Sequence, residues 1–152
     1  MAIYDFAVGQ TNPDTFPVEA FKEAAIRAIE NENVAFNKYP GNKGHEGLRK
    51  AMAERESERE GVYVDPEQVA IMNGSMQAVT LVGQALMENK GDLVIAEEYT
   101  YSGTIGAYKG IGLEFVGIPL DDHGMRMDAL SDKLKELSDQ DRLPKFIYTL
   151  TT

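Results

Sequence analysis

The chain has no cysteine, no apolar run long enough to cross a bilayer and no surplus of positive charge, and each lack closes off a class of function. Without cysteine there can be no disulfide, no thiolate metal site and no cysteine nucleophile. A membrane-spanning helix needs about 18 or more successive apolar residues, and no such run occurs. The opening Met1-Ala2-Ile3-Tyr4-Asp5-Phe6 has no basic segment leading into an apolar stretch, so it does not read as a secretory signal. These features point to a cytoplasmic protein with no membrane partner. The formal charge of −10, from 25 acidic and 15 basic residues, opposes a surface for the phosphate backbone of nucleic acid. The acidic residues of Glu54 to Glu60 and of Asp128 to Asp141 are interleaved with Arg and Lys, as on solvated helix faces. An anionic ligand would therefore need a local site.

What is present suits one globular domain or part of a larger one: 152 residues, 43% of them hydrophobic. Residues 17–31 start with Pro17 at a favourable first-turn position and place Val18, Phe21, Ala25 and Ile29 on one stripe, which predicts an amphipathic helix. Residues 45–60 predict a second helix that ends at Gly61. The intervening Asn37-Lys38-Tyr39-Pro40-Gly41-Asn42-Lys43-Gly44 is too rich in Gly and Pro for regular structure and reads as a loop. Beyond Asp65-Pro66 come short apolar runs at Val69–Met72, Leu93–Ala96, Leu113–Ile118 and Phe146–Leu150, each the length of a strand buried on both faces. Helical stretches at 76–88, 102–109 and 128–137 separate them. This alternation predicts an α/β fold with a mainly parallel sheet covered by helices. The last run stands at the end of the sequence without a closing helix, and in open α/β sheets ligands bind just beyond the carboxyl ends of such strands.

Three segments can carry chemistry. Asn73-Gly74-Ser75-Met76-Gln77 joins an apolar run to a helix: Gly74 permits a tight turn, Ser75 can cap, and the free N–H groups of the first helical turn suit a phosphate. The same residues also describe an ordinary capped helix. Glu97-Glu98-Tyr99-Thr100-Tyr101-Ser102-Gly103 follows the next strand, and Tyr101 there offers either an aromatic face for a planar ligand or simple packing. Its position beside the Ser75 turn, on neighbouring parallel strands, favours the ligand reading. Tyr39, with Lys38 and Lys43, could reach a phosphate or belong to a plain connector. His45 and His123 have no ligand-spaced partner, so no metal site is expected, and Asp121-Asp122-His123-Gly124 reads as a turn. No nucleophile elbow, Walker-type loop or dinucleotide fingerprint occurs.

Taken in order, Phe6-Ala7-Val8-Gly9-Gln10 through Phe16-Pro17, Tyr39-Pro40 with Gly44 and Leu48-Arg49, Asn73 to Ala78, Glu97 to Thr104, and Phe146-Ile147-Tyr148-Thr149 resemble fold-type I pyridoxal-phosphate enzymes. The resemblance is to class I/II aminotransferases of the branch containing kynurenine and 2-aminoadipate aminotransferases, and it spans essentially the whole chain. It implies a partial large domain, with residues 1–40 as an N-terminal segment and first helix and residues 41–152 as the N-terminal part of the cofactor-binding domain. By position, Gly74, Ser75 and Met76 match the turn that holds the cofactor phosphate, with Met76 where the family usually has glutamine. Tyr101 matches the residue stacked on the pyridine ring, and Tyr39 a tyrosine reaching the neighbouring subunit's phosphate in the homodimer. Gly9 lies in the segment lining the substrate carboxylate pocket. The lysines present match other parts of the pattern, so no catalytic residue is assigned; the lysine that binds the cofactor is expected after Thr152. The resemblance thus implies a pyridoxal 5'-phosphate-dependent aminotransferase acting on amino acids and 2-oxo acids, with this stretch inactive alone. A lyase or decarboxylase on the same scaffold, or a cofactor-sensing regulator with an aminotransferase-like domain, remain alternatives.

Overall fold

The computed structural model describes residue 9 and residues 12–32 and 34–150. The rest of the Phe6–Gln10 motif and Thr151-Thr152 lie outside the described residues. Two compact units divide after Ala70.

In the first unit, α1 (Val18–Glu32) and α2 (Glu46–Glu60) are the helices that the apolar spacing predicts. His45 caps α2, its Nδ1 accepting from the Leu48 N–H at 3.1 Å, and Gly61 ends it in the left-handed region at φ 67°. Arg49 of α2 is buried and donates to the Gly44 and Pro66 carbonyls and, at 2.9 Å, to Glu67 Oε1. That guanidinium ties α2 to the 3-10 turn Pro66–Gln68. No residue of α1 is buried.

The second unit is built on a parallel sheet. β1 (Leu93–Glu97) lies between β2 (Glu114–Ile118) and β5 (Phe146–Tyr148), with Val94 opposite Phe115 on one side and Phe146 on the other. Side chains alternate across a strand, so β1 feeds two cores. Leu93 and Ile95 pack with Ile118 and with Leu137 of α5 (Met127–Asp139); Val94 packs with Leu113 and with Tyr108 of α4 (Ser102–Ile111). α3 (Ser75–Leu86) joins the second layer through Val79, and Gly83 lets it approach the Tyr108 ring closely. Helices therefore cover both faces of a parallel sheet, as the alternation of runs predicts.

Two sequence expectations need correction. Val69–Met72 forms no strand: none of the described strands lies beside it, and an extended segment without a partner has no ladder to join. The turns at Ser75 and Tyr101 are accordingly not on neighbouring strands. Burial on both faces holds throughout β1 only, because β2 and β5 are the edges of the three-stranded sheet and keep exposed positions. The expected turn at Asp121–Gly124 closes a short antiparallel hairpin, β3 (Leu120–Asp121) with β4 (Gly124–Met125). Asp121 Oδ1 accepts from the His123 N–H across it at 2.7 Å.

Candidate functional site

α3 ends shortly before β1 begins, and α4 begins shortly after β1 ends. Both helices pack on the sheet, so their N-termini point toward the carboxyl edge of the parallel strands, where ligands of such sheets bind.

Gly74 precedes α3 with φ 79° and ψ 165°, a conformation that excludes other residues sterically. It provides no side-chain cap, and the Asn73 N–H before it donates to Gln77 Oε1 at 2.6 Å. A methyl group on Gly74 would meet nothing within 4 Å, so the space in front of the helix is open. The first-turn N–H groups of Ser75, Met76 and Gln77 are thus offered together with the Ser75 hydroxyl, the arrangement that an anion neutralises. Glycine is needed there for conformation, not for want of room.

Tyr101 precedes α4, its carbonyl accepting from the N–H groups of Thr104 at 3.1 Å and Ile105 at 3.3 Å. The backbone is held while the ring remains 54% exposed, leaving it free to meet a planar ligand. Behind it, buried Thr104 donates to the Tyr148 hydroxyl at 3.0 Å, which links α4 to β5. Tyr108 stands edge-on to Tyr148 and Phe146, with centroids 5.9 and 5.4 Å away; burial raises its phenol above the ordinary range.

One residue quoted in the sequence motif has a role that its pattern did not reveal. Glu97 ends β1 and is buried; its Oε1 accepts from the Thr149 hydroxyl and, at 3.2 Å, from the Leu150 N–H. It clamps the segment leaving β5 to the carboxyl end of β1. Its Oε2 is sealed without a partner among the described residues. A carboxylate at the end of an otherwise apolar run was the available signal. A cavity of about 1100 Å³ lies beside it, walled by Glu97, Tyr99, Leu120, His123 and Thr149 among others. Gly74, Ser75, Met76 and Tyr101 do not line that cavity; they lie at the starts of two helices.

Of the remaining expected residues, Tyr39 is fully exposed and Gly9 is exposed, both in the first unit. Lys43, offered from sequence as a phosphate contact, is engaged by Glu67: its ammonium donates to the backbone carbonyl at 2.7 Å and to Oε2 at 3.1 Å. The Glu67 carboxyl is held below its ordinary range by hydrogen bonds from Arg49 and then Lys43. Among the described residues no group of three His, Asp or Glu side chains is arranged for a metal ion, and no helix is long and apolar enough to cross a membrane.

The model of the class I and II aminotransferase family matches residues 2–151. The chain belongs to this family. Among curated relatives, it is similar to aromatic-amino-acid aminotransferase 1 of Thermococcus litoralis, with 36% identity over 99% of the chain and 36% of the relative. It is also similar to the 2-aminoadipate transaminase of Thermus thermophilus, 33% identical over 97% of the chain and 34% of the relative. In structure it resembles the kynurenine aminotransferase of Pyrococcus horikoshii, solved in complex with PMP, at a TM-score of 0.87 and 34% identity. That likeness covers 96% of this chain and 36% of the other. The architecture is therefore part of the fold-type I large domain, and the chain spans about a third of the length of the curated relatives it matches.

Proposed function

We propose that the whole protein is a pyridoxal 5'-phosphate-dependent aminotransferase that moves an amino group from an amino acid to a 2-oxo acid, as a cytoplasmic homodimer. The observation that carries this is the open, uncapped first turn of α3 behind Gly74, at the carboxyl edge of the sheet, in a chain of an aminotransferase family.

The residues present fit the cofactor. Ser75, Met76 and Gln77 offer N–H groups, and Ser75 a hydroxyl, to a phosphate; because the Met76 contact is through the backbone, its difference from the usual family glutamine leaves it intact. The exposed face of Tyr101 suits the pyridine ring. Bound pyridoxal phosphate would supply an electron sink for the bond broken at the amino acid's Cα. Residues 41–152 contribute the phosphate and ring contacts, Gly9 the substrate-carboxylate side, and Tyr39 the phosphate of the second subunit. None of the lysines in these 152 residues is assigned to the covalent bond, which we place elsewhere in the whole protein.

The test is turnover. The whole protein, given an amino donor and a 2-oxo acid acceptor, is expected to form the donor's keto acid in step with the new amino acid. Release of ammonia or carbon dioxide instead would replace the aminotransferase reading with a lyase or decarboxylase. Borohydride reduction of the 152-residue chain with the cofactor is expected to leave no single lysine labelled stoichiometrically; one such lysine would overturn the assignment of the covalent site.

A further inference from the structure

Gly103 lies in the first turn of α4 with ordinary helical backbone, so its lack of a side chain answers no conformational need. What it provides is space. A methyl group at Gly103 would sit 2.5 Å from Tyr101 Cε1, 2.8 Å from Cζ and 3.0 Å from Oη, well inside the roughly 3.5–4.0 Å of a carbon contact. The Tyr101 ring therefore lies over the bare Cα of Gly103. Two further glycines of the same helix, Gly106 and Gly110, have nothing within 4 Å of that position.

We infer that Gly103 is a positioning residue for Tyr101: its bare backbone seats the ring that meets the cofactor. The inference rests on the reading of Tyr101 as the ring platform. Because the Tyr101 backbone is anchored by Thr104 and Ile105 while its ring is half exposed, a side chain at 103 displaces the ring toward solvent and leaves the helix intact. This distinguishes Gly103 from Gly83, whose neighbour Tyr108 is buried and cannot step aside.

The experiment compares Tyr101→Ala, Gly103→Ala, the double variant and Gly106→Ala in the whole protein, by equilibrium dissociation of pyridoxal phosphate. Removing the ring is expected to raise Kd roughly three- to tenfold, the scale of one aromatic contact. Gly103→Ala should raise it by a large part of that, Gly106→Ala should leave it unchanged, and the double variant should match Tyr101→Ala alone. If Tyr101→Ala has no effect, the platform reading fails and this inference with it. If Tyr101→Ala weakens binding but Gly103→Ala does not, or if the two effects add in the double variant, only the inference is overturned. Free of the cofactor, the Gly103 Hα resonances should carry a ring-current shift that disappears in Tyr101→Ala; no shift in the unmodified protein overturns the seat directly.

Discussion

Ile95 and Ile29 are the same side chain in opposite circumstances. Ile95, at the middle of β1, has no exposed surface and is shared between α5 and the edge strand β2, whereas Ile29 stands on the apolar stripe of α1 and is 59% exposed. The two units differ in the same way. In the second, one five-residue strand supplies both faces of a core; in the first, order rests on Ala53 and on the hydrogen bonds of Arg49, with the α1 stripe uncovered. An apolar pattern thus establishes where a helix forms, while its energetic value depends on what meets it.

Substitutions can break or sharpen this contrast. Ile95→Ala should cost about 2–5 kcal/mol in urea unfolding, since a close-packed site cannot refill the vacated volume; a loss below 1 kcal/mol would mean the β1 core is loose. Gly83→Ala places a methyl 2.7 Å from the buried Tyr108 ring, and the resulting overpacking should cost about 1–3 kcal/mol despite better helix propensity. Arg49→Met keeps the stem but leaves the Pro66 and Gly44 carbonyls and the Oε1 of Glu67 without their Arg49 donor, at about 1–3 kcal/mol. In the first unit that polar change should exceed any apolar truncation on α1. Ile29→Ala should fall within about 0.5 kcal/mol when measured on these 152 residues; a core-sized loss would show that the stripe is covered in solution.

The smallest effect is one of pH. Glu67 titrates below its unfolded value because Arg49 and Lys43 hydrogen-bond its charged form, and Asp92 does likewise through the Asn89 and Glu88 N–H groups. A depressed folded pKa contributes stability that is present at neutral pH and is lost as pH falls through the carboxylate range, near 4. Glu67→Gln should therefore flatten the acid limb of the urea midpoint against pH and change little on the alkaline side. An unchanged acid limb would mean that the Arg49 cluster contributes nothing electrostatic.

The local backbone features of the candidate site were legible because their requirements are local. Gly74 must take a backbone that other residues avoid, Ser75 and Met76 begin a helix after it, and Tyr101 leads another, so sequence order alone locates the two helix starts. The Glu97 clamp was not legible: Thr149 and Leu150 are more than 50 residues away, and no local spacing announces a pairing made across a sheet. Gly103 was not legible for a different reason: its neighbour Tyr101 is only two residues away, but the side-chain rotation that lays the ring over it is not a matter of spacing.

The sequence by itself determined the helices, the order of the apolar runs and the hairpin turn, because periodicity, capping residues and turn chemistry act over a few residues; the family followed from the resemblance of its ordered motifs. Tertiary structure alone decided that Val69–Met72 pairs with none of the described strands, that β1 lies between β2 and β5 in their three-stranded sheet, and that Lys43 is engaged by Glu67. Strand pairing and ion pairing depend on which distant groups come within a few ångströms, and that is a property of the folded chain.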